Sequence, residues 1–236
     1  MESASFLEQE DDMRLRRKPW IDEAIKQYAS FVHLESCEEY KGKWRTLFEN
    51  PDAPLWVELG TGKGNFISKM AELHPEVNFI GIEIQIGVIY YAGKKCAEAE
   101  LPNVQLLRFD VARLEEIFAP GEVDRFFINF CDPWPKKRHA KRRLTYHDFL
   151  DRYARLLKED GKIYFKSDNA GLFDFTLEEF KLRHWPLSEV TYDLHHSDVL
   201  NEAMTEYEAK FSAKGQPIFH CVAARPTEVT ADDEAN

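Results

Sequence analysis

Five short apolar runs, each followed by a stretch of helical periodicity, restrict the fold of this chain more than any other feature. They are Leu55-Trp-Val-Glu-Leu59, Val77-Asn-Phe-Ile-Gly-Ile82, Asn103-Val-Gln-Leu-Leu-Arg-Phe109, Val123 to Phe130, and Gly161-Lys-Ile-Tyr-Phe-Lys-Ser167. Runs of this length, rich in β-branched and aromatic residues, read as strands buried on both faces. Between them Phe66, Ile67, Met70, Ala71 and Leu73 mark one helical face, and residues 85–98 form a second helix. A short helix falls near 112–118. Tyr146, Phe149, Leu150, Tyr153, Leu156 and Leu157 make the clearest amphipathic helix. Parallel strands require a crossover, usually a helix, so this alternation predicts βαβ units in one open sheet. A helix over 171–183, a strand through 190–194, a helix near 198–212 and a strand at 217–223 complete the pattern. Tyr40, Trp44, Leu47 and Phe48 also carry helical spacing, ended by Asn50-Pro-Asp-Ala-Pro54. The expected fold class is α/β, a mostly parallel seven-stranded sheet with helices on both faces.

The net charge of −11 argues against a protein that coats nucleic acid through overall positive charge, but it leaves room for a local basic footprint. Cys37, Cys96, Cys131 and Cys221 are scattered, with no CxxC pair and no histidine at zinc spacing. They read as buried reduced thiols, with no metal site implied. No apolar run reaches membrane-spanning length and the N-terminus is acidic, so the expectation is a soluble, cytoplasmic protein. Residues 1–12 read as a disordered acidic extension. Residues 13–225 read as a single domain, in which 13–50 supply a basic arm (Arg14-Leu-Arg16-Arg17-Lys18) and helices. From Pro226 the chain reads as a disordered tail. The basic arm is either a phosphate contact or a solvated leader.

The strand ends carry the chemistry. The first runs into Glu58-Leu-Gly60-Thr-Gly62-Lys-Gly64, a loop whose glycines allow a sharp turn and close approach of a ligand to a helix N-terminus. A dinucleotide site wants GxGxxG, but Asn65 occupies its third glycine position. GxGxG with a preceding acid suits an adenosyl ligand without pyrophosphate. The second strand ends at Glu83, about 20 residues on, where an acid commonly grips a ribose. The third ends at Asp110 and the fourth at Asp132. Singly, each acid is as easily a helix cap or a solvated turn. Four delivered to the carboxyl edge of one sheet mark a ligand crevice.

Asp132 is followed by Pro133-Trp134-Pro135 and then Lys136 to Arg143, where six of eight residues are Lys or Arg. A stiff aromatic loop beside an acid, with a basic run beyond it, suits an anionic substrate. A solvated surface helix is the blander reading of that run.

With these segments in hand, the chain resembles the bacterial tRNA (guanine-N7-)-methyltransferases, Rossmann-like class I enzymes that use S-adenosylmethionine. The resemblance runs from about Arg14 to the last strand. It rests on Glu58 to Gly64, Gly81-Ile-Glu83, Asp132-Pro-Trp-Pro-Lys-Lys-Arg-His139, Arg142-Arg-Leu144, Phe165-Lys-Ser-Asp168-Asn169 and Thr205-Glu-Tyr-Glu208. The glycine loop is common to most class I methyltransferases, whereas Asp-Pro-Trp-Pro-Lys with the late Thr-x-Tyr-Glu is specific. The family carries Thr more often where Ser167 stands. The resemblance implies cofactor contacts at Glu58, Gly60, Gly62, Gly64, Glu83, Asp110 and Asp132, and it makes Asp132 the catalytic residue. It implies substrate contacts at Lys136, Asp168, Thr205, Glu206, Tyr207 and Glu208, and RNA contacts at Lys137, Arg138, His139, Lys141, Arg142 and Arg143. The partner implied is tRNA; the sequence leaves monomer and homodimer both open.

Guanine N7 has a free lone pair and no proton to remove, so Asp132 is expected to orient the reactants rather than act as a base. Trp134 either stacks on the base or plugs the sheet edge. Asp168 and Glu208 are able to accept from guanine N1–H and the amino group. Two other readings stay open: amino-methylation of another base or of glutamine, and an RNA-binding scaffold that has lost catalysis. The intact glycines and acids count against the second.

Overall fold

The structure is a computed structural model that describes residues 18–227. The extension over 1–12, Arg14, Arg16 and Arg17 of the basic arm, and the tail beyond 227 lie outside the described residues.

The sheet has eight strands, β1 (Val32–His33), β2 (Leu55–Leu59), β3 (Asn78–Ile82), β4 (Val104–Leu107), β5 (Val123–Asn129), β6 (Leu157–Ser167), β7 (Leu187–Thr191) and β8 (Phe219–Ala224). The helices are α1 (Trp20–Ala24), α2 (Asn65–Leu73), α3 (Ile86–Glu98), α4 (Leu114–Ile117), α5 (His147–Leu156), α6 (Ala170–Leu182) and α7 (Glu206–Ser212). Strand order is β1-β4-β3-β2-β5-β6-β8-β7, parallel except for the antiparallel pairs that β8 makes with β6 and β7. The order reverses at β2: β3 and β4 extend to one side, β5 and β6 to the other. A doubly wound sheet opens a crevice at the carboxyl ends of its strands where the order reverses. Glu58 pairs in register with Gly81 on one side and Phe127 on the other, so the glycine loop leaves from this switch point.

Each sheet face carries its own apolar layer. Val57, Ile80, Phe126 and Ile163 pack with α5 and α6, and Trp56, Phe79, Leu106 and Phe127 pack with α2 and α3. Strands buried on both faces are what continuous apolar runs require.

Four details depart from the sequence reading. An eighth strand, β1, adds to the β4 edge; two residues are too few to leave a pattern. Tyr40 to Phe48 is not one helix but two 3-10 turns, Cys37–Tyr40 and Trp44–Leu47, parted by Gly42 at φ 73°. Trp44 is anchored by tertiary contact, donating from Nε1 to the Ile117 carbonyl at 2.7 Å. β7 lies at 187–191 rather than 190–194, set by pairing of Leu187 with Ala223. The helix expected over 198–212 begins only at Glu206, and residues 197–205 have no regular structure.

Candidate active site

Two cavities lie over the carboxyl edge of the sheet. One, about 480 Å³, is lined by Gly60, Glu83, Asp110, Asn129, Asp132 and Trp134 among others. The second, about 190 Å³, lies between the glycine loop and Thr205–Tyr207, with Glu58 and Phe66 in its wall. They meet at Gly60, Asn129 and Phe130. All four strand-end acids therefore line one or the other, but each in its own way.

Glu58 is 3 % exposed, with its carboxylate accepting from Thr61 Oγ1 at 2.5 Å and Asn129 Nδ2 at 3.0 Å. Burial pushes its carboxyl up to about 7 against these hydrogen bonds, which pull it down. Glu83 Oε2 accepts from the Gly62 amide at 3.2 Å and Oε1 from the Gln85 amide at 2.9 Å, so this acid braces the glycine loop. Burial also raises its pKa, with the charge of Asp132 adding to the rise. Asp110 spends Oδ1 on the Ala112 amide at 2.9 Å, capping the 3-10 turn Val111–Arg113. It is both a cap and a cleft residue. Asp132 is exposed, three residues past the end of β5.

The glycines sort into two kinds. Gly60 and Gly62 have positive φ, 79° and 57°, and a Cβ on either would meet nothing within 4 Å, so their backbones are open to a ligand. Gly64, at φ 83°, would carry a Cβ 2.8 Å from that of Ala92. Its role is to let α2 approach α3 closely.

The loop after β5 is bent by two non-glycine residues in the left-handed region, Phe130 at φ 53° and Trp134 at φ 41°. Such backbone persists only where surroundings over-determine it. Here Arg143 supplies the restraint, donating Nε to the Pro133 carbonyl at 3.1 Å and Nη2 to the Trp134 carbonyl at 3.0 Å, with its guanidinium over Phe175 at 4.2 Å. Arg143 was expected to contact RNA; the structure turns it inward as a clamp. Arg142 lies over the Trp134 ring at 4.9 Å and faces the larger cavity. Lys136, Lys137, Arg138, Lys141 and Arg142 are exposed, the last four on the 3-10 turn Lys137–Arg142; His139 packs edge-on to Trp134 at 5.8 Å. Desolvation, with the charge of Asp132 adding, pushes the thiol of the half-buried Cys131 up to about 12, and this residue lines the larger cavity.

Among the residues assigned to substrate, Asp168 Oδ2 accepts from Tyr207 Oη at 3.0 Å, and the Tyr207 ring packs on Phe130 at 5.2 Å. Thr205 Oγ1 caps α7 by accepting from the Glu208 amide at 2.9 Å. Glu206 turns to α3, paired with Lys95 at 3.1 Å. Glu208 is fully buried, its carboxylate bonded to Lys166 at 3.2 Å and Asn201 at 2.7 Å. As placed, it lines neither cavity and presents no accessible acceptor to guanine. Thr61, Asn129 and Lys166 escaped the sequence reading. The polar break of Asn129 in Phe-Phe-Ile-Asn-Phe, and a lysine inside Ile-Tyr-Phe-Lys-Ser, were the available signals.

Comparison with known proteins agrees with this geometry. Residues 52–221 match a family described as "Putative methyltransferase". The tRNA (guanine-N(7)-)-methyltransferase of Geobacillus thermodenitrificans is 50% identical over 92% of this chain and 99% of its own. That of Bacillus subtilis is 49% identical over 88% and 96% respectively. Among solved structures, a 16S rRNA methyltransferase superposes with a TM-score of 0.58 at 11% identity, covering 77% of this chain and 90% of its own. An antibiotic-related methyltransferase gives 0.56 at 19%, covering 80% and 94%. These structural likenesses speak to the fold alone, which is that of the Rossmann-like methyltransferases. Sequence identity of about one half along nearly the full length says more: the chain belongs to the tRNA (guanine-N(7)-)-methyltransferase family.

Proposed function

We propose that the protein binds S-adenosylmethionine in the paired cavities and transfers its methyl group to N7 of a guanosine in tRNA, in the variable loop. The observation that carries this is the joining of three features at one sheet edge: open glycine backbone flanked by carboxylates, an acid on a clamped aromatic loop, and an exposed basic turn beside it. The residues suit the cofactor. Gly60 and Gly62 leave room for close approach, and Glu58 and Glu83 offer anionic partners to an ammonium and to ribose hydroxyls. The bound cofactor supplies a methyl carbon made electrophilic by sulfonium.

This chain's residues would then hold N7 in line with that methyl and keep water out. Asp132, at the rim of the larger cavity, orients the reactants; the free N7 lone pair leaves it no proton to remove. Trp134, fixed by Arg143 below and Arg142 alongside, offers a face for base stacking. Asp168, bonded to Tyr207, stands as the acceptor for the guanine edge. Lys136, Lys137, Arg138 and Lys141 would meet the neighbouring phosphates, and the −11 charge elsewhere would confine RNA to this side.

The test uses labelled S-adenosylmethionine and two unmodified tRNA transcripts, one with a guanosine in its variable loop and one without. Transfer to the first alone is expected. Equal transfer to both would refute the site of modification.

A further inference from the structure

Glu208 belongs to the late Thr-x-Tyr-Glu run, yet its carboxylate faces neither cavity. Oε2 accepts from Lys166 Nζ at 3.2 Å, and Oε1 accepts from Asn201 Nδ2 at 2.7 Å, with His195 Nε2 3.3 Å away. Lys166, buried on β6, also donates to Asn201 Oδ1 at 2.6 Å and to the Ala203 carbonyl at 2.9 Å. Its three protons are thus all placed, and the Phe66 ring lies 5.5 Å from the ammonium.

The segment fastened by this cluster is residues 197–205, which has no helix or strand of its own to fix it. Leu200 and Met204 on it are exposed, 79 % and 43 %; its anchors besides this cluster are the small buried Ala203 and the Glu202–His74 contact at 3.2 Å. It leads directly to Thr205, to the cap of α7 and to Tyr207, whose hydroxyl bonds Asp168. A buried ion pair is a poor source of stability, because desolvation offsets the Coulomb attraction. What it gives here is direction, since His195, Asn201 and the Ala203 carbonyl are held around one ammonium–carboxylate pair.

We propose that Lys166 and Glu208 are positioning residues: a buried lock that sets Thr205–Tyr207 at the cavity mouth, while Glu208 makes no contact with guanine. This rests on the reading of the site given above and sharpens it. For Glu208 to accept from the base, it would have to leave Lys166 and Asn201, stranding a buried ammonium.

The test compares Lys166→Met, Glu208→Leu, the double variant and Asn201→Ala with the wild type. Methyl transfer is measured on tRNA carrying guanosine or inosine at the target, and folding is followed by thermal melting. Wild-type transfer to guanosine tRNA checks the functional reading separately. The lock predicts that each single charge removal lowers kcat/KM by about 100-fold through misplaced contacts. The double variant is then no worse than the worse single, because both act through one unit. Asn201→Ala, which touches only the lock, loses about tenfold. The preference for guanosine over inosine persists in every variant with residual activity. Multiplying losses in the double variant, or loss of that preference in Glu208→Leu alone, would overturn the proposal. Should the Leu and Met variants fail to fold, Asn201→Ala and Glu208→Gln decide. Full activity in Asn201→Ala, or loss of base preference in Glu208→Gln, would refute it.

Discussion

Glu58→Gln is expected to make the protein more stable above neutral pH and to impair it as an enzyme. In the fold, burial raises the Glu58 carboxyl from 4.5 to about 7. A native state that holds a proton more tightly than the unfolded chain loses stability as pH rises. The contribution is fully present below about 4.5, falls through the interval to about 7, and is gone above it. That rise corresponds to about 3 kcal/mol, most of it lost between pH 5 and pH 8. Glutamine keeps the shape and removes the charge. Its oxygen accepts from Asn129 Nδ2, and the Thr61 hydroxyl rotates to accept from its amide. Urea unfolding of both proteins without cofactor, at pH 5 and pH 8, measures the difference directly. The stability gap between variant and wild type should widen by about 2–3 kcal/mol from pH 5 to pH 8. The variant should also bind S-adenosylmethionine more weakly, since the anion that answers its ammonium is gone. Stability curves that stay parallel across this range would refute the argument that burial raises the Glu58 carboxyl in the folded protein.

Asp132→Asn should lower kcat by about 100-fold or more with no recovery as pH is raised, as expected for a group that positions reactants; recovery at high pH would assign it base catalysis. Binding of tRNA should weaken with salt by about 0.7 in log–log slope per phosphate contact. Replacing Lys137, Arg138 and Lys141 by Ala should flatten that slope. Arg143→Ala should leave the slope alone and lower kcat, because its guanidinium holds the Pro133 and Trp134 carbonyls.

The parallel strands were legible because their short length, their β-branched and aromatic residues and their alternation with helical periodicity agree. Their acids were legible because each falls where an apolar run stops. Residues whose role depends on a distant partner were not. Lys166 and Glu208 are 42 positions apart, and nothing local marks them as a pair. The same pair explains the misread helix at 198–212: the Asn201 side chain and the Ala203 carbonyl are committed to Lys166, and Thr205 caps the helix only at Glu206. Charge alone likewise placed Arg143 with the surface run, although its neighbours in the fold are two carbonyls and Phe175.

The account turns on the acceptor atom. The direct measurement is to methylate a tRNA transcript with the purified protein, digest it to nucleosides and identify the methylated product by mass and chromatography against standards. The account predicts 7-methylguanosine, arising from the variable loop. A methylated exocyclic amine of adenine or cytosine, or methyl transfer to a glutamine side chain with tRNA left unmodified, would contradict it.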